Sequence, residues 1–467
     1  MTESLAPRKP ANVLFITTDH QRRDAVGFAG NRVVKTPNLD ALAARGVFFR
    51  NAYTVSPLCQ PSRASLISGL YPHQHGISSN RCDPITPDLR QRSFSSELQR
   101  VGYHTAFIGR HHFYDFWDEP SFDYRQLRDE VKSFGFDEVV QVNDKPEHSH
   151  LDCDYTAYLR EQGKLDAYRA DLKRGGVIPF SAIQEEDSHD AFMARSALDF
   201  LGRQDGQQPF LLWASFGGPH PPYRSVGPYG EMYRADAMPR PLAVDDPDAV
   251  QKVQQSYTQY YGMISQIDFW IGRFITCLTE RGLLDDTLII FTSDHGDMFG
   301  DHGLWHKRRF YEQSVGVPMV VAGPGVIRTP GKQLDAGKNS PALVDTLSIH
   351  ASILEAAGLV ARDRPGCSLQ SVLDGRRHWP RAVFSELGTW LMVRTANWKL
   401  TYDPEQGGVQ QFYHLLVDPD ERVNLAGDPA YRVVEAEHTA LLLDWFVRTT
   451  TETGKVERQA LQRVVVS

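Results

Sequence analysis

The sequence predicts an α/β fold: a large, mostly parallel sheet with helices on both faces, followed by a small antiparallel sheet with one helix. Three observations lead there. Six apolar runs of strand length recur between residues 11 and 323, separated by longer helical or irregular stretches. Several of these runs stop at an aspartate, arginine or histidine. After about residue 380 the pattern changes to short, turn-separated runs that suit hairpins.

The first element is "ANVLFITTD", a buried-strand run that ends at a carboxylate. "TPNLDALAARG" comes next as a helix, with Thr36 as N-cap, Pro37 at the first helical position and Gly46 as stop. The remaining strands are "GVFFRNAY", "GYHTAFIG", "PFLLWASF", "TLIIFTSD" and "VPMVVAG". Between them, Tyr257, Tyr260, Ile264, Ile267, Ile271, Phe274 and Leu278 keep a three-or-four spacing that predicts a long core-facing helix ending at Gly282. "DSHDAFMARSALDFL" and "NSPALVDTLSIHASILEAAG" read as two further helices. The stretch from about 113 to 183 is polar, aromatic and rich in His and Asp; it reads as an insertion near the active face rather than as sheet. Residues 1–380 are thus expected to form the catalytic domain. Residues 381–467 form a small α+β subdomain, with strands in "FSELGTWLMVRTANWKLTYD" and "QQFYHLLVDPDERVNLAGDP" and a helix from roughly 430 to 449. The last 17 residues either pack on a neighbouring copy, giving a homo-oligomer, or fray.

Composition narrows the function. The 467 residues carry a net charge of -8, with 41% hydrophobic and 23% charged side chains, which leaves no basic field for nucleic acid. No window reaches the roughly 18 apolar residues of a membrane span, and the N-terminus lacks a charged region leading into an apolar one, so no membrane partner and a cytoplasmic location are expected. The five cysteines are widely spaced with no CxxC pair, which argues against a disulfide framework or a structural zinc site and makes four of them plain thiols.

In open α/β sheets, ligands gather beyond the carboxyl ends of the strands. Here those ends carry Asp19-His20, Arg110 and His112 in "GRHHF", His220 in "GGPHPP", and Asp294-His295 in "SDHGD". Two carboxylates and two imidazoles suit a divalent cation, while nearby Arg and Lys would neutralise an oxyanion. Each element alone has an ordinary reading: a helix cap for Asp294, a loop residue for His220, an inert buried thiol for Cys59.

Together they resemble the sulfatases of the alkaline phosphatase superfamily, close to bacterial choline-sulfatase, arylsulfatase and phosphonate monoester hydrolase types, over nearly the whole chain. The resemblance rests on "CQPSRASLISG", which matches the family's Cys-x-Pro-Ser-Arg stretch with its closing Gly. It implies that a maturation enzyme converts Cys59 into formylglycine, whose hydrate is the nucleophile. It also implies one divalent ion, Ca2+ or Mn2+, held by Asp19, Asp294, His295 and an oxygen at position 59. His20 departs from the family's second Asp and is either a ligand or a neighbour of one. Arg110 stands where the family usually has Lys in a Lys-x-His pair; His112, His220 and Lys307 of "GDHGLWHK" match the other sulfate-pocket positions, with Arg63 holding the hydrate. Asn80 sits where phosphonate monoester hydrolases place a substrate-binding Asn, and a turn role fits it equally. The implied reaction is hydrolysis of a small sulfate ester. The alternatives are a phosphonate monoester or phosphodiester hydrolase, and a silent binding protein with an unmodified cysteine.

Overall fold

The computed structural model describes residues 10–81, 85–114, 121–324, 338–375 and 380–465. Eight strands form the large sheet: β1 (Asn12–Thr18), β2 (Val47–Tyr53), β3 (His104–Gly109), β4 (Glu138–Gln141), β5 (Phe210–Ser215), β6 (Thr287–Ser293), β7 (Met319–Ala322) and β8 (Lys338–Asp345). Their order is β4-β3-β5-β1-β6-β7-β2-β8, and every pairing is parallel except the two made by β7. The centre of the sheet is β3-β5-β1-β6, whose near-continuous apolar runs are what a strand covered on both faces requires. Alternation then splits each run between two cores. Leu14 and Ile16 enter one, with Ile267, Ile271 and Phe274 of the helix Pro247–Glu280 and Met193 and Ala197 of the helix His189–Gly202. Val13 and Phe15 enter the other, with Leu66 and Ile67 of the helix Cys59–Ser68 and Ile349 and Ile353 of the helix Leu347–Ala356.

Two readings of the sequence are corrected. The 113–183 segment contributes a strand: β4 pairs with β3 in parallel register, Ala106 opposite Glu138, and extends the sheet by one edge. At four residues, "EVVQ" is too short for its alternation to stand out. The stretch "NSPALVD" is the other edge strand, β8, and the helix begins only at Leu347. Pro341 lacks the N–H a central strand would use and is tolerated at this edge, where its carbonyl accepts from Asn51 Nδ2 at 2.8 Å.

A second, antiparallel sheet runs β12-β11-β10-β9, with β9 (Ala382–Leu387), β10 (Trp390–Thr395), β11 (Trp398–Asp403) and β12 (Gly408–His414). The helix Arg432–Val465 covers it through Leu442 and Trp445, and continues well past the expected end near 449. Cys59, Cys153 and Cys277 are free thiols; Cys82 lies outside the described residues. Among the described residues, no helix is long and apolar enough to cross a membrane.

Candidate active site

Because β3, β5, β1 and β6 are neighbours and parallel, the polar residues that end them converge at one edge of the sheet. Cys59 joins them from the first turn of the helix Cys59–Ser68, which is buried along its whole length and closes at Gly69 in the left-handed conformation (φ 71°). At that helix start Asn80 Oδ1 accepts from the Gln60 N–H at 3.1 Å, so Asn80 satisfies an otherwise orphan donor beside the cysteine. Lys307 Nζ lies 2.6 Å from Cys59 Sγ, and His295 Nε2 lies 3.1 Å from it. Cys59 Sγ also reaches Asp19 Oδ1 at 3.7 Å.

Arg63 is fully buried and its donors are spread over the strand ends. Nε donates to Asp294 Oδ2 at 3.0 Å, Nη2 to Asp19 Oδ2 at 2.9 Å, and Nη1 to the Arg110 carbonyl at 2.7 Å. It therefore positions the two carboxylates. Arg110 bonds Asp19 and Asp144, and its Nη2 lies 2.7 Å from His112 Nδ1. His220 is half-buried with Nδ1 against the Pro221 carbonyl at 2.7 Å, which turns Nε2 toward Asp144 Oδ2, 3.8 Å away. His20, in the left-handed region at φ 66°, has Nδ1 2.6 Å from Asp297 Oδ2 and a buried Nε2 with no hydrogen-bond partner.

The charges sort themselves by surroundings. Burial pushes Asp19 up, but Arg110 and Arg63 outweigh it and hold the carboxyl well below the usual range. Asp294 is pushed up to about 7 by burial and then by the Asp19 charge, the expected outcome for two carboxylates sharing one site. Burial pushes the Cys59 thiol up to about 12, helped by Asp19, so the unmodified side chain is a poor nucleophile. Burial holds His20 and His295 well below the ordinary imidazole range, and His220 is pushed down to about 3 despite Asp144 and Asp19.

The site fits a divalent cation. Oxygen, nitrogen and sulfur donors of Asp19, Cys59, Asp294 and His295 all lie within 4.8 Å of one another, as do those of Asp19, His20, Cys59 and His220. Neutral imidazoles and an orphaned, fully buried ring nitrogen are what a cation would complete.

Every site residue expected from the sequence lies in this cluster or in contact with it. Three others were not anticipated. Asp144 comes from the 113–183 segment and grips Arg110; nothing in "VNDKPEHSH" marks it among several acidic and imidazole neighbours. Asp190, on the helix His189–Gly202, accepts from the N–H groups of Gly217 and Gly218 at 3.1 Å each and so anchors the His220 loop. Asp297 faces His20, and its place three residues after Asp294 in "SDHGD" was a usable signal.

With a cysteine at a helix start, two carboxylates, four imidazoles and three cations converging at the strand ends, the chain belongs to the sulfatase family, whose family model matches residues 11–359. The C-terminal model of N-sulphoglucosamine sulphohydrolase matches residues 300–445. The chain is 30% identical over 452 residues to an arylsulfatase of Clostridium perfringens, covering 90% of this chain and 91% of that one. It is 31% identical over 469 residues to a choline-sulfatase of Rhizobium meliloti, covering 92% and 85% respectively. Among solved structures, its fold is similar to a phosphonate monoester hydrolase from Silicibacter pomeroyi, with a TM-score of 0.79, 24% identity and coverage of 94% and 96%.

Proposed function

We propose that this protein is a sulfuric ester hydrolase that cleaves a small organic sulfate ester to alcohol and sulfate, using formylglycine made from Cys59 and one divalent ion, Ca2+ or Mn2+. The observation that carries the reading is the seating of Cys59 Sγ between Lys307 Nζ at 2.6 Å and His295 Nε2 at 3.1 Å, at a helix N-terminus that favours anions. Asp19, Asp294, His295 and position 59 would hold the cation, with His20 beside them. A divalent cation there would neutralise developing negative charge. Formylglycine at position 59 would supply a hydrated aldehyde as the nucleophile, with a second hydroxyl that would let sulfate leave without a further attack.

The chain's own groups carry the protons and hold the substrate. Asp294 takes the proton from the attacking hydroxyl, with Arg63 fixing its carboxyl. Arg110 and Lys307 bind the sulfuryl oxygens. His220 Nε2 protonates the departing alcohol; the bound ester's negative charge and Asp144 favour the imidazolium that burial disfavours. His112 takes the proton of the remaining hydroxyl.

Asp144 lies between Arg110 and His220, so the 113–183 segment is where we place selectivity for the alcohol. Cys59 and Arg63 are fully buried, so a maturation enzyme acts on this segment before the helix packs. The test is the mass of the peptide bearing residue 59 together with turnover of an aryl sulfate. Conversion to the aldehyde with metal-dependent turnover is expected. An unmodified cysteine in protein from the native host, with no turnover, would instead indicate a silent binding protein.

A further inference from the structure

The orientation of His20 is set by a partner outside the group of metal-facing residues. His20 Nδ1 lies 2.6 Å from Asp297 Oδ2, and the same oxygen accepts from Tyr223 OH at 2.5 Å. The other Asp297 oxygen accepts from the Phe299 N–H at 2.9 Å, and the carboxylate is fully buried. Asp297 therefore cannot turn away. With Tyr223 OH and the Phe299 N–H both donating to it, Asp297 is the acceptor for Nδ1 as well, so Nδ1 carries the ring proton and Nε2 keeps its lone pair.

That Nε2 is buried and without a hydrogen-bond partner, 3.8 Å from Asp19 Oδ1. Its donor set includes Asp19 and Cys59, the same two side chains that group with Asp294 and His295. His295 is arranged in the same way: its Nδ1 is fixed by the Gly296 carbonyl at 2.8 Å and its Nε2 faces Cys59. Two rings thus have their outer nitrogens tied down and their inner nitrogens turned toward Asp19 Oδ1, at 3.8 Å and 4.0 Å, in two donor groups that share Asp19 and Cys59. Carboxylate and carbonyl partners of this kind fix the tautomer of a metal-bound histidine.

We propose that Asp297 is a positioning residue that holds His20 as a second imidazole donor, and that the resulting nitrogen-rich set selects a transition-metal divalent ion such as Mn2+ over Ca2+. The inference rests on the metal site of the proposed function and adds its selectivity and the residue responsible. Calcium takes oxygen ligands and has little use for a second nitrogen. Manganese accepts imidazole and carboxylate together, and gains from both rings.

The experiment uses full-length protein stripped of metal, titrated with Mn2+ and monitored by electron paramagnetic resonance, with Ca2+ measured by competition. Asp297→Asn can turn an amide N–H toward Nδ1 and move the ring proton to Nε2. It should weaken Mn2+ by about 10- to 100-fold and Ca2+ by less than about threefold. Equal weakening of both ions, or unchanged Mn2+ affinity, overturns the proposal. Pulsed resonance on the Mn2+-loaded wild type tests it without a variant: two coupled imidazole nitrogens are expected, and a single one overturns the role of His20 while leaving the metal site in place. A wild type that binds no Mn2+ removes the metal reading itself.

Discussion

Cys59 is held by the site without supporting the core, since its closest polar neighbours are Lys307 and His295. Cys59→Ala should therefore leave thermal unfolding near that of the wild type and reduce turnover by at least about a thousandfold, as removal of a nucleophile does. Retained turnover would remove the nucleophile assignment. His220 makes a finer case. In the proposed role of proton donor its value depends on the leaving group, so His220→Ala should slow an alkyl sulfate by about a hundredfold or more and an activated aryl sulfate far less. Equal proportional losses in kcat/KM would make it a sulfate-binding residue. Residues at this scale were legible where a motif or a strand end singled them out, as with Asp294-His295 and Arg110. Asp144 and Asp190 were not, because they reach the site only through tertiary packing, one from an irregular segment and one from a helix whose spacing reads as core.

Among the elements, the central strands were readable because burial on both faces demands unbroken apolar runs, and the long helix because its stripe persists over many turns. The edges were not. β8 and the helix Leu347–Ala356 form one apolar stretch in the sequence, and the turn between them is made by Asp345, which accepts from the Leu347 N–H at 3.1 Å and Tyr71 OH at 3.3 Å. Burial pushes this carboxyl up to about 6 against those donors. A carboxyl whose proton is held more tightly when folded lends stability that is full below its unfolded value of 3.8 and is lost as pH rises through about 6. Relative to the wild type, Asp345→Asn should thus gain about 1 kcal/mol between pH 5 and pH 7.5, read from denaturant unfolding at the two values. A constant difference would mean that the carboxyl titrates normally.

Across the whole molecule, the two sheets are joined by a buried charge cluster beside the site. Lys399 of β11 lies 3.1 Å from Glu312 and 2.5 Å from Glu421, while Arg23 lies 2.6 Å from Glu312. Glu312 comes five residues after Lys307, so the small sheet braces the segment that brings Lys307 to Cys59. Lys399→Met should leave two carboxylates facing each other and cost on the order of 3 kcal/mol, seen as a lower first unfolding midpoint. An unchanged midpoint would show that the cluster does not hold the sheets together. The change of pattern near residue 380 was visible in the sequence, but this brace was not, because its members are scattered from residue 23 to residue 421. The central claim, hydrolysis of a sulfate ester by the group at position 59, is tested most directly by kcat/KM of one preparation toward an aryl sulfate and an aryl phosphonate monoester, after aldehyde at position 59 has been verified by mass. The sulfate should be the better substrate; a preference for the phosphonate would contradict the assignment and make the protein a phosphonate monoester hydrolase.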